Sequence, residues 1–330
     1  NYPVLEYSNN KFKYQVMQFV DAIHKPDDQF PVGVVPDEKT RLAIHKTNYH
    51  LRQNQTDPFS VKEYTPQMRL LGPNFPRRKY RRRKNEFKSV NHWAQRKTVV
   101  QEIEFLTKYA KQGDYIVYIG AAPAMHFNYL VELFPTLTWE LYDLPENKYH
   151  IEPSESVRIH TSMLTEDDLK AWAESRENVL LISGLKPKNE RNRDAIYAYL
   201  DMQETVYKAI QPRKALLRFE LPWGKGRKRY LDGRLYLPVW GTQTSLKTYL
   251  VPYGVDKQKH WDLNEYEEWM FYFNTVHRVQ YYRHNLYGLR GVDHCYDCAS
   301  EEFILRMYLM KYHNIFVKQW ERNERHSEGT

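Results

Sequence analysis

The sequence predicts an α/β domain with a mostly parallel sheet and helices on both faces. Strand-like and helix-like segments alternate over about 220 residues, which is the pattern of an α/β fold. The clearest strand-like segments, at 115–119 and 178–183, are short and mostly apolar, as expected for strands buried on both faces of a parallel sheet. One of them leads through a turn of small residues into a helix, and the next run ends in an aspartate. That order is typical of a Rossmann-like unit.

The elements of this unit follow one another closely. Apolar residues from Val99 to Tyr109 recur at helical spacing, and Tyr115–Ile119 is an apolar, β-branched strand candidate. Phe127–Phe134 has a helical apolar face that ends at Pro135, and Leu137–Tyr142 is the next predicted strand. Together they predict one βαβ unit with a right-handed crossover. Further strands are predicted at 178–183, 214–220 and 245–252, and further helices at 194–210, 266–277 and 303–313.

Composition and the positions of proline and charged residues divide the chain into three parts. Residues 1–89 are a proline-rich N-terminal arm that ends in the basic run Arg77–Lys84, residues 90–315 are the α/β domain, and residues 316–330 are a polar tail. The net charge is +8, which favours a polyanionic partner such as RNA. No apolar run approaches the roughly 18 residues of a membrane span, so none is predicted.

Only two cysteines occur, Cys295 and Cys298, and they flank a short stretch next to His294. This group offers three metal ligands, whereas a structural zinc site normally has four. We therefore expect reduced thiols and no metal site.

A nucleotide-type cleft is predicted around the first strand. The turn Gly120-Ala121-Ala122-Pro123-Ala124 lets the backbone approach a ligand at the carboxyl end of this strand. The helix that follows offers free N–H groups to an anionic group. Asp143 ends the next strand, where a carboxylate can accept hydrogen bonds from the hydroxyls of a ribose. A former cleft that has lost its cofactor would carry the same pattern.

The segment YIVYIGAAPAMHFNYL (Tyr115 to Leu130) resembles the cofactor loop of the poxvirus cap-specific mRNA nucleoside-2′-O-methyltransferases, which also serve as regulatory subunits of the viral poly(A) polymerase. The resemblance runs in order from about residue 90 to 315, through WELYD, NVLLISG, LLRFELPW, YEEWMFYFNTVHR and ILRMYLMKY. It implies a Rossmann-like S-adenosylmethionine-dependent methyltransferase fold, and S-adenosylmethionine as the cofactor that this cleft would bind at Gly120–Ala124 and Asp143.

The resemblance also implies a Lys-Asp-Lys-Glu catalytic set, of which only the first member is present. Lys97 matches the first lysine, whereas Gly184 stands at the aspartate, Arg218 at the second lysine and Leu246 at the glutamate. An arginine stays protonated near neutral pH and cannot act as a base. Ala124 replaces a family glycine, and its methyl group is expected to crowd the methionine part of the cofactor. We therefore expect no methyl transfer by the usual mechanism.

The family's cap-binding site is partly matched. Trp223 stands at one of two aromatics that sandwich 7-methylguanine, the other falls near Tyr80, and Glu267 matches an acid that contacts the base edge. Lys225 stands where a second acid is expected. Basic residues beside aromatics also suit an RNA strand. They are Arg81, Arg82, Arg83 and Lys84 in the arm, and Arg227, Lys228 and Arg229 after Trp223.

Three hypotheses on function follow. The first is a catalytically degenerate methyltransferase-like protein of a large DNA virus, which binds RNA and protein partners in mRNA processing or virion assembly. Its partner would be a poly(A) polymerase-like subunit or a virion component, and its location the host cytoplasm or the virion. The second is an active cap 2′-O-methyltransferase that uses Lys97, Lys186 or Lys247 as its base. The third is a purely structural assembly protein.

Overall fold

The structure, a computed structural model, describes residues 62–81, 94–242, 244–280, 282 and 296–312. Within these residues eight strands form one sheet and two form a separate ribbon. The strands are β1 (Leu70–Leu71), β2 (Tyr115–Ile119), β3 (Thr138–Tyr142), β4 (Val157–His160), β5 (Val179–Ser183), β6 (Lys214–Phe219), β7 (Arg227–Leu231), β8 (Gly233–Tyr236), β9 (Thr248–Pro252) and β10 (Gln258–Asp262).

Six α-helices accompany the strands in the described part of the chain. They are α1 (Ala94–Tyr109), α2 (Phe127–Leu133), α3 (Glu166–Glu174), α4 (Arg193–Ile210), α5 (Leu263–Thr275) and α6 (Tyr296–Tyr312). Short 3-10 helices lie at Pro66–Arg69, Arg176–Asn178 and His277–Val279.

The sheet has the order β1-β8-β9-β6-β5-β2-β3-β4. The five strands from β6 to β4 are parallel, whereas β9, β8 and β1 add an antiparallel edge beside β6. The chain runs outward from β2 through β3 to β4 and then returns to β5 on the other side of β2. The strand order therefore turns back between β2 and β5, where open α/β sheets bind their ligands. The predicted Rossmann-like fold is confirmed.

Helices cover both faces of this sheet. Alternate residues of β2 point to opposite faces, so that Ile116 and Tyr118 join one core cluster and Val117 and Ile119 join the other. The first cluster contains the apolar faces of α1, α2 and α6. The second contains those of α4 and α5. Burial of β2 on both faces explains why its sequence is a continuous apolar run.

The last helix starts earlier than the sequence indicates. It begins at Tyr296 and not near residue 303, because its first turns bury polar side chains that carry no apolar period. Asp297 and Glu301 are both buried there, and they pair with Arg278 and Arg96 at 2.8 and 2.7 Å. Smaller differences concern α5, which is capped by Asp262 and ends at Thr275, and β9, which begins at Thr248.

Part of the basic sequence after Trp223 forms a strand. Arg227–Leu231 is β7, which pairs with β10 about 30 residues later. Its sequence has no apolar run, and its strand structure depends on this distant partner. The strand β4 and the helix α3, with its capping box between Thr165 and Asp168, also lie between the elements that the sequence predicts.

Part of the predicted N-terminal arm belongs to the domain. Leu70 and Leu71 pair with β8 at the sheet edge, and the Arg69 side chain is buried beside them with Glu104 at 2.6 Å. No described helix is long and apolar enough to cross a membrane. The described residues do not include Arg82, Arg83, Lys84, His294 or Cys295, nor the tail at 316–330.

Candidate functional site

A cleft opens at the carboxyl ends of β2, β5 and β6, at the turning point of the strand order. It holds a cavity of about 130 Å³. Ligand pockets usually measure about 300–1,000 Å³, so a nucleotide-sized cofactor would have to extend from the enclosed part of this cleft into its open side. Its walls combine the turn after β2, the end of β5 and one side of α1. Among the lining residues are Glu102, Tyr118, His126, Ser183, Lys186 and Arg218.

The turn after β2 is shaped by close backbone contacts. Gly120 has a φ of 69°, and a Cβ atom there would lie 2.8 Å from the Leu185 nitrogen. Only glycine combines this φ with so close an approach. Ala124 also has a positive φ, of 55°, although it carries a Cβ atom, and it is buried. The position is therefore strained for alanine and suits the glycine that the resemblance implies there.

Asp143 is held by the protein's own donors. Its Oδ2 accepts a hydrogen bond from the Ala122 N–H at 2.8 Å. Its Oδ1 accepts hydrogen bonds from the Leu144 N–H at 2.8 Å and from the Asn147 side-chain amide at 2.6 Å. A carboxylate has about four acceptor positions. Three are therefore occupied, and a ribose would have to compete for this buried side chain.

A buried carboxylate, Glu102, lines the cavity. Glu102 Oε1 accepts the Tyr118 hydroxyl at 2.6 Å, and its Oε2 lies 2.8 Å from His126 Nε2. Burial raises the pKa of Tyr118 well above its ordinary value, and the nearby Glu102 raises it further. The phenol therefore stays protonated and donates to Glu102. Sequence reasoning missed Glu102, because its position on α1 has no recognisable motif.

Of the four positions implied as a catalytic set, Gly184 and Arg218 line this cleft, and Lys97 lies close enough to Arg218 to interact with it electrostatically. Lys97 is on α1, Gly184 directly follows β5, Arg218 is on β6, and Leu246 precedes β9. A Cβ atom at Gly184 would lie 2.6 Å from the Gly120 carbonyl oxygen and 3.0 Å from the Tyr118 ring. The site therefore has no room for an aspartate. Leu246 is buried in the core below α5.

Two carboxylates reach Arg218 from positions outside the implied set. Glu190, in the loop between β5 and α4, lies 3.6 Å from Arg218 and forms an ion pair with Lys247. Glu220, which follows β6, lies 3.9 Å from Arg218. Hydrogen bonding to Lys247 lowers the pKa of Glu190, whereas burial raises that of Glu220. No local motif in the sequence indicates either residue, because the sheet brings them together from separate loops.

Lys97 is the most perturbed lysine of the cleft. Burial, together with the positive charges of Arg218, Lys247 and Lys186, lowers its pKa to about 7. Lys186 has a lowered pKa for the same reasons, with burial first. A lysine of this kind is partly neutral near pH 7, so it can take up or release a proton there.

A second site lies on the surface near the end of β6. The rings of Tyr80 and Trp223 are each 43% exposed, and their centroids are 5.1 Å apart at an interplanar angle of 54°. Glu267 on α5 lies beside them and accepts the Gly224 N–H at 3.3 Å. The structure thus brings together the three residues that were assigned to cap binding. The two rings touch each other, so a base can stack on an outer ring face but does not lie between them.

Contacts with α5 and α4 hold this aromatic site in place. Arg77 forms ion pairs with Glu265 at 3.1 Å and Glu268 at 2.8 Å, which fixes the chain before Tyr80 along α5. The Tyr80 ring also packs edge-on against Phe271, with centroids 5.3 Å apart. From α4, the Arg193 guanidinium donates to the carbonyl oxygens of Trp223 and Lys225.

The ribbon of β7 and β10 carries basic side chains beside this site. Arg227 and Arg229 are exposed on one face of β7, and Arg229 pairs in register with exposed His260. Lys228 departs from the expectation that it faces RNA. Because side chains alternate along a strand, it points to the other face, where it forms an ion pair with Asp201 and lies over the Tyr197 ring.

Comparison with known proteins gives the family. The model of the family described as the poly A polymerase regulatory subunit matches residues 76–327, which is more than half of the chain. The chain belongs to this family. The matched residues include the cleft at β2 and the aromatic site at Tyr80 and Trp223, so both candidate sites lie within the poly A polymerase regulatory subunit family region. The resemblance stated from the sequence is thereby confirmed.

Other comparisons add little to this family assignment. Comparison with curated proteins gives no match. A similar solved structure is that of bluetongue virus VP4, which is described as a multifunctional RNA-capping production line. It is 13% identical, with 57% of this chain and 35% of VP4 covered and a TM-score of 0.39. The chain thus spans about a third of VP4, and a likeness at this level says nothing about function.

No metal centre was expected at His294, Cys295 and Cys298. Cys298 is buried in α6, and the other two lie outside the described residues. Within the described ranges, no group of three or more His, Cys, Asp or Glu side chains is arranged to hold a metal ion.

Of the basic residues predicted in the arm, Arg81 lies within the described residues, where it is exposed next to Tyr80.

Proposed function

We propose that the protein binds single-stranded RNA and acts as a non-catalytic regulatory subunit in viral mRNA processing. The observation that carries this proposal is the exposed pair of Tyr80 and Trp223 beside Glu267 and the basic face of β7. Two exposed aromatic rings in contact form a contiguous apolar patch, and such patches mark binding surfaces more often than single exposed rings do. Stacked bases and a nearby cationic surface are the two features by which proteins hold single strands.

Each part of this surface suits one part of an RNA strand. A base can stack on the outer face of Trp223 or Tyr80, which contributes about 1–3 kcal/mol per base. The Glu267 carboxylate can accept hydrogen bonds from the N–H groups of a guanine edge, which suits a 5′ cap. Lys225 and Arg229 are exposed and can meet phosphates. Together they favour recognition of a capped or purine-containing end.

The cleft supports the non-catalytic part of the proposal. The implied aspartate position is closed to any side chain by the Gly120 carbonyl, and the implied glutamate position is the buried Leu246. The small enclosed volume of about 130 Å³ and the three occupied acceptor positions of Asp143 both disfavour S-adenosylmethionine. We therefore propose that the cofactor is not bound.

The family description supports a protein partner for this RNA-binding subunit. A poly(A) polymerase catalytic subunit is the partner that we propose, in the host cytoplasm or in the virion, and the RNA held by this chain would then be the polymerase's substrate. Co-purification of the two subunits in the presence and absence of RNA would test this partner. Failure of a stable complex to form in either condition contradicts it.

The experiment that tests RNA binding is fluorescence anisotropy with labelled oligoadenylate, with and without a 5′ cap. Replacing Trp223 by Ala removes one stacking face and should weaken binding roughly tenfold. The matched control is Tyr253→Ala, because Tyr253 is 60% exposed but lies away from this surface, after β9. Equal affinities for both variants and the wild type would leave a purely structural assembly role.

An active cap 2′-O-methyltransferase is the second candidate, and Lys97 is the observation that favours it. A pKa of about 7 allows this lysine to act as a base, with Glu190 and Glu220 as nearby carboxylates. Isothermal titration with S-adenosylmethionine, followed by methyl transfer to capped RNA, separates the candidates. Transfer that is lost in Lys97→Met would replace our first proposal, whereas no cofactor binding up to millimolar concentration would exclude the second.

A further inference from the structure

Four cationic side chains lie within electrostatic reach of one another at the cleft. Lys186 and Arg218 line the cavity, and Lys97 and Lys247 act electrostatically on the same group. Two carboxylates face them, Glu190 from the loop after β5 and Glu220 from β6. The group therefore carries more positive than negative charge. Because like charges repel, such a group costs stability unless an anion binds to it.

A buried hydroxyl points to a ligand at the same place. Ser183 ends β5 and lines the cavity together with Lys186 and Arg218, and it is only 4% exposed. Its Oγ has no hydrogen-bond partner within the described part of the chain. A buried hydroxyl without a partner loses the free energy of a hydrogen bond, so a ligand oxygen that accepts from it would be stabilised.

We propose that Ser183, Lys186, Arg218, Lys97 and Lys247 form a binding site for a phosphate group of the RNA strand. This inference rests on the RNA binding proposed above. It means that the cleft, in which the implied catalytic set is incomplete, would bind the RNA backbone. Arg218 suits a phosphate ligand, because a guanidinium can donate two parallel hydrogen bonds to phosphate oxygens. The Glu102 carboxylate lines the same cavity and would repel the anion, so the phosphate is expected beside Arg218 and Lys186.

The distance to the aromatic site is compatible with one strand. Arg218 and Trp223 are five residues apart on the same chain segment, which limits their separation to about 18 Å. A few nucleotides can cover this distance. RNA stacked on Trp223 can therefore place a backbone phosphate over the cationic group.

Glu190 is the internal competitor of this phosphate. It is exposed and bound to Lys247, and it lies 3.6 Å from Arg218. A phosphate that pairs with these cations has to displace it. Glu190→Gln removes the competing charge, so it should tighten RNA binding by roughly threefold, the reverse of what loss of a merely structural ion pair would do.

Proton uptake gives the site a distinct signature. An anion at the site raises the pKa of Lys97, which burial and the charges of Arg218, Lys247 and Lys186 hold at about 7 against the opposing effect of Glu220. Glu190 also faces this lysine. Binding should therefore take up a proton just above pH 7, and affinity should fall as pH rises further. Phosphodiesters do not titrate in this range, so the proton belongs to the protein.

The experiment is calorimetric titration with oligoadenylate of about 12 nucleotides, in buffers of different ionisation enthalpy. We expect proton uptake by the wild type and none by Lys97→Met. Arg218→Met should weaken binding roughly tenfold and Arg218→Lys less, with thermal melting to show that both fold. The control is Lys170→Met, because the Lys170 side chain is 72% exposed on α3. No proton uptake, or full affinity in Arg218→Met, would overturn the proposal.

A second titration, with inorganic phosphate, separates this inference from RNA binding itself. If oligoadenylate binds through Trp223 while the cationic variants change nothing, RNA binding stands and the phosphate site falls. If oligoadenylate does not bind, the proposed function fails. Phosphate that binds the wild type and not Arg218→Met would then keep the anion site, but would assign it to a free phosphate and overturn its link to the strand.

Discussion

Single residues at the cleft mouth determine what chemistry this chain can perform. Gly184 is an example. Its neighbours in the sequence are typical of an ordinary strand end, but in the folded chain the nearby Gly120 carbonyl oxygen leaves no room for a side chain at this position. The sequence predicts that a carboxylate is missing there. It does not predict that a carboxylate no longer fits, since that depends on how closely β2 and β5 approach beyond their last paired residues.

Restoring the implied aspartate should therefore fail. Gly184→Asp places a Cβ atom where only 2.6 Å separate it from the Gly120 carbonyl oxygen, and we expect a loss of roughly 1–3 kcal/mol in the free energy of unfolding. Gly184→Ala should cost nearly as much, because the backbone contact concerns the Cβ atom. Urea denaturation measures both variants. A fully stable Gly184→Asp that gains methyl transfer would contradict this account of the cleft.

The depressed pKa of Lys97 predicts a pH-dependent stability. In the folded state its pKa is about 7 against an ordinary value of 10.5, so the unfolded chain binds more protons between these values and stability rises with pH there. Lys97→Met removes the cost of the buried charge. It should stabilise the protein by about 2 kcal/mol near pH 6, and the gain should vanish toward pH 10. Lys97→Arg, which keeps the charge, should be less stable than the wild type at both pH values.

At the scale of elements, the sequence located β2, β3, β5 and β6 because most residues of each strand are apolar or aromatic. It missed β7, whose sequence RKRYL resembles a solvated loop. The strand forms because β10 pairs with it and because Tyr230 and Leu231 are buried. Strand alternation then divides the basic residues between two faces, which charge counting along the sequence does not distinguish.

This alternation makes a prediction about RNA. Arg229→Gln removes an exposed charge and should reduce the slope of log affinity against log salt by about 1, whereas Arg227→Gln, at a side chain that already lies 3.7 Å from Asp262, should reduce it by less. Lys228→Gln, between them, should leave the slope unchanged, because Lys228 pairs with Asp201 on the other face. Anisotropy titrations at several salt concentrations measure the three slopes. Equal slopes for all three variants would mean that RNA does not lie on this face.

At the scale of the whole molecule, buried ion pairs connect α6 to the rest of the domain. Asp297 pairs with Arg278, and Glu301 pairs with Arg96, which precedes Lys97 on α1. The Trp240 backbone N–H donates to Asp297 at 2.6 Å, and its indole donates to Glu301 at 2.8 Å. These contacts hold α6 against the helix that carries Lys97. Sequence patterns predicted only the apolar end of α6, because buried polar partners are visible only when the chain is folded.

Loss of one such pair should destabilise the whole domain. Arg278 and Asp297 are both fully buried, so Asp297→Ala leaves an unpaired guanidinium in the core and should cost roughly 3–5 kcal/mol. The surface pair of Lys208 and Glu204 is the matched control, and Lys208→Ala should cost less than about 1 kcal/mol. Adding Arg278→Met to Asp297→Ala removes the unpaired charge and should recover part of the loss. Urea denaturation of the wild type and the three variants tests this order, and equal losses for Asp297→Ala and Lys208→Ala would show that α6 is held by its apolar contacts alone.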